Sequence, residues 1–207
     1  MPSLAEGRSI RLLVVLAVLC LVYSAHSPAL ERRGAPNAEE QKPPQPLPKK
    51  PPKPGEDLGP LPAPVEEMRQ AILAAAHSGN IEDLRVPLDW NELKPDVAAP
   101  KGEDALAHWK KLSGDGQGRE ILAVLADILQ MRPAELPLGK DLENNIIYVW
   151  PYLAEAKLDE LTPAQEVDLL RLVTPEQAKA MRQAKKWTWW RLTIGADGTW
   201  HSFKKSE

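Results

Sequence analysis

Cysteine is nearly missing from these 207 residues: Cys20 is the only one, and it lies inside an apolar run near the N-terminus. Such a chain has no disulfide framework, no thiolate zinc site and no cysteine nucleophile outside that run. Phenylalanine is as scarce, with Phe203 alone, so core volume has to come from the seven tryptophans and the aliphatic residues. Histidine occupies four positions, and no HExxH or comparable ligand set occurs. The apolar run from Leu12 to Tyr23 has twelve residues, too few to span a bilayer comfortably, since that takes roughly 20. Positive charge is not in surplus either. From Val65 to Glu207 there are 18 basic and 23 acidic residues, a net of 18 − 23 = −5, which argues against nucleic acid or an anionic membrane surface as partner.

What is present at the N-terminus points to export. Arg8 and Arg11 lead into LLVVLAVLCLVY, followed by the small and polar SAHSPA. This is the order of a secretory signal peptide, expected over residues 1–29, with cleavage after Ser24 or Ala29. The competing reading keeps residues 8–30 as an uncleaved anchor, the one route to membrane contact. With no cysteine after position 20 and a domain of about 140 residues able to hold itself by its core, the chain fits a bacterial envelope protein better than a disulfide-bonded secreted one. The expected location is periplasmic or secreted, or else the inner membrane with the domain facing the periplasm.

Residues 30–64 read as a spacer. The stretch QKPPQPLPKKPPKPGEDLGPLPAP holds ten prolines in 24 residues, with lysines at 42, 49, 50 and 53. Each proline fixes φ and removes a backbone donor, so the run enters neither helix nor sheet and populates extended polyproline II. PLPKKPP also has the composition of a PxxP ligand.

The remainder, residues 65–207, reads as one α+β domain, a helical N-terminal half packed on a small antiparallel sheet. VEEMRQAILAAAHS has apolar residues at helical spacing and ends at Gly79; EDALAHWKKL and REILAVLADILQM follow on either side of a glycine cluster. Between the first two helices, PLDWNELKPDVAAP has three prolines and reads as a loop carrying Trp90. NNIIYVW reads as a strand whose end Pro151 places at an edge. Thr162 and Thr174, each followed by proline and then by glutamine at the third position, read as capping boxes opening two further helices. WTWWRLTIGADGTWHSFKK closes the chain as a tryptophan-rich hairpin turning at Asp197-Gly198, giving about three strands in all.

Alternation in that hairpin sets Trp187, Trp189, Arg191 and Thr193 on one face and Trp190, Leu192 and Ile194 on the other. One face covers the helices. The other is either covered by the late helices or exposed as an aromatic platform, with Trp187, Trp189, Arg191 and His201 as candidate binding residues. For catalysis the sequence supplies little. GDGQG follows a helix and lacks nucleotide-loop spacing, Ser113 is in no GxSxG elbow, and the residues that would serve a hydrolase beside the glycine loop are Asp104, His108 and Asp115. No cofactor or metal is expected.

SGDGQGREIL, YVWPYLAE, LTPAQEVDLLRLV and IGADGTW together resemble an uncharacterised group of exported bacterial proteins, over roughly residues 65–207. The resemblance implies export and brings no activity or site residue with it. The expected function is therefore an exported binding or accessory module, tethered by the spacer, with an envelope protein or a glycan as partner; the alternative is an envelope hydrolase.

Overall fold

The computed structural model describes residues 53–138 and 145–206. The leader expected over 1–29 and the spacer up to residue 52 lie outside the described residues. Helix α1 (Ala63–Ser78) starts behind Pro62 with Pro64 in its first turn, where a missing N–H costs nothing, and ends at Gly79 in the left-handed region. Its buried stripe is Val65, Met68, Ile72, Leu73, Ala75 and Ala76. A short 3-10 turn (Ile81–Leu84) and α2 (Arg85–Asp89) follow, then α3 (Ala105–Leu112) and α4 (Arg119–Leu129). α4 buries Ile121, Leu122, Leu125, Ile128 and Leu129 and packs against α1. Arg69 of α1 donates from Nε to the Leu129 carbonyl at 2.8 Å, satisfying one of the acceptors that the end of α4 leaves open.

The sheet has four antiparallel strands in the order of the chain: β1 (Ala134–Pro137), β2 (Ile146–Trp150), β3 (Trp190–Gly195) and β4 (Trp200–Lys205). Between β2 and β3 run a 3-10 turn (Tyr152–Glu155), α5 (Pro163–Leu172) and α6 (Pro175–Ala184). The α+β architecture and the C-terminal hairpin agree with the sequence reading. Both capping boxes form, at Thr162 and Thr174. The hairpin turns through Gly195–Gly198, with the Gly198 N–H bonded to the Gly195 carbonyl and Gly198 at φ +87°. Asp197 keeps a negative φ, so this is a type I turn with a glycine bulge. A Cβ on Gly198 would sit 2.8 Å from the Pro64 carbonyl oxygen, because the turn lies against the start of α1.

Three details differ from the sequence reading. β1 makes a fourth strand. β2 is interior, paired to β1 on one side and β3 on the other, and Pro151 sits just past its end rather than on an edge. β3 begins only at Trp190, so Trp187 and Trp189 lie in the corner after α6, where strand alternation does not apply.

Helices occupy both faces of the sheet. Tyr148, Trp150, Trp190, Leu192, Ile194, Trp200 and Phe203 share a core with α1, α3 and α4. Ala134 and Val149 share a second core with Leu153, Leu158, Leu169 of α5, Ala178 and Met181 of α6, and Trp187. In the first, Trp190 stacks on Phe203 with ring centroids 4.6 Å apart, Phe203 meets Trp109 edge-on at 5.5 Å, and Trp109 stacks on Trp200 at 5.9 Å. A bulge makes that chain of rings continuous. Thr193 pairs with Ser202 and Ile194 with Trp200, leaving His201 as the extra residue, so Trp200 and Phe203 both turn inward.

Each sheet edge is blunted at one point. At β1 the Leu138 N–H bonds inward to Asn145, so position 137 faces outward, and there proline has no N–H to offer. At β4 the Asp96 N–H donates to His201 O at 2.8 Å and its carbonyl accepts from Phe203 N at 3.0 Å, covering the edge with the preceding loop. The end of the expected spacer 30–64 belongs to the domain instead: a Cβ on Gly55 would come within 2.9 Å of the Tyr152 ring, Leu58 and Leu61 pack against the first core, and Ala63 and Pro64 are already in α1.

Truncating Trp190 to alanine removes a ring that is 6 % exposed from one end of this stack and should cost about 3–5 kcal/mol. Denaturant melts check it; a loss below about 1 kcal/mol would show that the stack is not cohesive in solution.

Candidate functional site

The hairpin does not offer an aromatic platform. Trp187 is 5 % exposed, lies in the second core, and donates from Nε1 to the Trp190 carbonyl at 3.1 Å. Trp189 is partly buried, edge-on to Trp187 at 6.2 Å and in contact with both cores. Packing of the late helices covers the face on which a ligand would stack. Arg191 does face outward from β3, but Nε and Nη2 both donate to Glu155 Oε1, at 3.1 and 2.7 Å. His201 is exposed at the bulge, near the other end of the hairpin. The four residues singled out in the hairpin therefore do not converge: two are structural, one is tied to Glu155, and His201 stands apart.

Asp104, His108 and Asp115 are likewise divided among separate tasks. Asp104 caps α3, accepting from Leu106 N and Ala107 N at 3.1 Å each, and also meets Arg85. His108 turns its Nδ1 toward Glu103 Oε2 at 3.5 Å instead of toward Asp104. Asp115 folds back on its own loop. Its carboxylate accepts from the Ser113 hydroxyl at 2.6 Å and from the backbone N–H groups of Gln117, Gly118 and Arg119. Those three amides open α4, where left-handed Gly116 and Gly118 aim them at one point. The hydroxyl first, and then the amides, hold the Asp115 carboxyl below the usual aspartate range. A nest that would otherwise attract an external anion is thus filled by the chain's own carboxylate. Among the described residues no group of three or more histidine, cysteine, aspartate or glutamate side chains is placed to hold a metal.

One residue that the sequence reading left in a loop stands out by exposure. Trp90, at the end of α2, is 55 % exposed, whereas each of the other six tryptophans is buried or partly buried. Val86, one turn earlier, is 58 % exposed and Leu93 is 80 % exposed. The exposure is built, because the loop is pinned on either side of Leu93. Asn91 accepts the Trp200 N–H at 2.7 Å through Oδ1 and donates Nδ2 to the Pro87 carbonyl at 3.0 Å, while Asp96 bridges to β4 as described. Trp90 stands beside an open cavity of about 180 Å³ bordered by Pro64, Glu67, Asn91, Asp197 and Thr199. The Thr199 N–H, and then its hydroxyl, lower the Asp197 carboxyl from its usual range and keep it charged. The cleft therefore joins one indole to the side chains of Glu67, Asp197 and Thr199. The only signal for it in sequence was a tryptophan inside a proline-bracketed loop.

Compared with known proteins, the chain matches no family model, no curated protein and no solved structure.

The role given to Asp115 has a pH signature. Its folded-state pKa is lowered, so its contribution is present above the ordinary aspartate range and fades as pH falls below it. Asp115→Ala should lower the melting temperature at pH 7, and the gap to wild type should close below about pH 4. A gap that is absent at pH 7, or unchanged at pH 3, would contradict the assignment.

Proposed function

We propose that this chain is an exported, non-catalytic binding or accessory module whose recognition face is the edge bearing Trp90. The observation that carries the reading is that exposure. The fold draws its other tryptophans into cores or their margins, yet holds this one outward on a doubly pinned loop beside the cleft. Large aromatic side chains of this kind supply a disproportionate share of binding energy at interfaces. The basic start, apolar run and small-residue segment at the N-terminus support export, and the proline-lysine stretch supports a tether between that start and the domain. The hydrolase alternative gains no support, because Asp104, His108 and Asp115 each serve local structure.

Capture from envelope extracts by the full chain, compared with its Trp90→Ala and Trp189→Ala variants, tests the proposal. Trp90→Ala should leave stability within about 0.5 kcal/mol of wild type and weaken partner capture about tenfold or more. Trp189→Ala should lower stability and spare capture by the folded fraction. Equal capture by wild type and Trp90→Ala would reject the face.

A further inference from the structure

The β3–β4 hairpin carries a second concavity, at the end away from its turn. It has a volume of about 210 Å³ and is lined by Ala98, Arg191, Ser202, Lys204, Lys205 and Ser206. None of these is a carboxylate, although residues 65–207 are acidic in balance. Strand register assembles the set. Arg191 is the cross-strand partner of Lys204, and Thr193 that of Ser202. Ser202, Lys204 and Ser206 follow at every second position, and just past β4 the Ser206 N–H still donates to the Trp189 carbonyl at 2.9 Å, so the pairing runs on to the third of them. Ala98 adds a wall from the loop ahead of α3. Its φ of +55° lies in the left-handed region that few residues other than glycine adopt, and Asp96 holds it there by accepting the Ala98 N–H at 2.9 Å.

Two of the three cations are set in place by carboxylates that do not line the cavity. Glu155 accepts Arg191 Nε and Nη2, which leaves Nη1 with no acceptor among the described residues. Asp96, which fixes Ala98 through one oxygen, takes Lys204 Nζ with the other. Lys205 has no carboxylate partner among the described residues; its Nζ lies 5.5 Å from the Trp190 ring centroid, a contact that orients the ammonium and leaves its charge intact. The Ser202 hydroxyl meets Thr193 Oγ1 at 2.7 Å, a bond in which either oxygen can be the donor.

We propose that this cavity binds the phosphate group of a small molecule. A phosphate presents several acceptor oxygens in a tetrahedral array, which suits a guanidinium, two ammonium groups and two hydroxyls lining one concavity; a carboxylate, with two oxygens in one plane, uses fewer of them. The volume lies below the range of about 300–1,000 Å³ usual for drug-sized ligands, so the molecule is small. The site shares no lining residue with the Trp90 cleft and stands whether or not that face takes a partner.

Phosphorus NMR of inorganic phosphate and of glycerol phosphate, titrated with the full chain at fixed ionic strength in a phosphate-free buffer, tests the site. At least one of the two should bind saturably, with a Kd on the order of 1 mM. Lys205→Met keeps the apolar stem over Trp190 and removes the charge. It should weaken binding about tenfold while its melting temperature without phosphate stays at the wild-type value. Lys157→Met, at an exposed lysine outside the cavity, should leave binding unchanged. Equal affinity in wild type and Lys205→Met, or an equal loss in Lys157→Met, would show attraction to surface charge in general and overturn the proposal. So would co-sedimentation with phosphatidylglycerol vesicles in the absence of any response to the two soluble phosphates, since the ligand would then be a membrane surface.

Discussion

Phe203 holds the aromatic core together from its centre. It is fully buried, touches Trp190 on its own sheet and Trp109 across on α3, and through Trp109 reaches Trp200. Each such aromatic pair contributes about 0.5–1.5 kcal/mol beyond the area it buries. The geometry depends on the β4 bulge, which turns Trp200 and Phe203 to the same side although they are three residues apart. Without it one of the two would face outward and the link to α3 would be lost. The core also tolerates a polar cost: the indole N–H groups of Trp109 and Trp150 are buried without a partner among the described residues, a penalty on the order of 1–3 kcal/mol each.

That construction fixes where recognition can occur. One sheet face belongs to α1, α3 and α4; on the other, α5, α6 and Trp187 share the second core with Ala134 and Val149. The two edges are blunted by Pro137 and by the bridge from Asp96. Among the surfaces left open is the rim where the hairpin turn, the start of α1 and the end of α2 meet. Gly198 pressed against Pro64 brings the first two together, and Asn91 fastens the third to β4. Asn91 and Asp96 tie the segment that carries Trp90 to β4 at two points.

Much of the fold could be read from local chemistry. Thr162-Pro163 and Thr174-Pro175, with their glutamines, specify helix starts by hydrogen bonds within four residues, and Asp197-Gly198 specifies its turn in the same way. β1 escaped because AELP is too short to show alternation, and Pro133 ahead of it and Pro137 at its end read as helix stops. The interior position of β2 was hidden for the same reason, since its second neighbour was the missed strand. Trp190 was read correctly as core, whereas Trp187 and Trp189 were given a strand face because alternation was extended three residues before the strand begins; Trp187 is placed by α6 packing and its bond to the Trp190 carbonyl, neither of which is visible in a local pattern. Trp90 was legible only as a loop tryptophan. Its exposure follows from contacts to β4, 109 residues away in the case of Asn91 and Trp200, and no short-range rule reports them.

The account requires that one tryptophan of seven meets solvent freely, and native-state oxidation followed by mass spectrometry measures that directly. Trp90 should be modified first, Trp189 more slowly, and Trp109, Trp150, Trp187, Trp190 and Trp200 only as fast as the protein unfolds. Oxidation of Trp187 or Trp189 ahead of Trp90 would contradict it, because the hairpin and not the α2 edge would then be the exposed aromatic face.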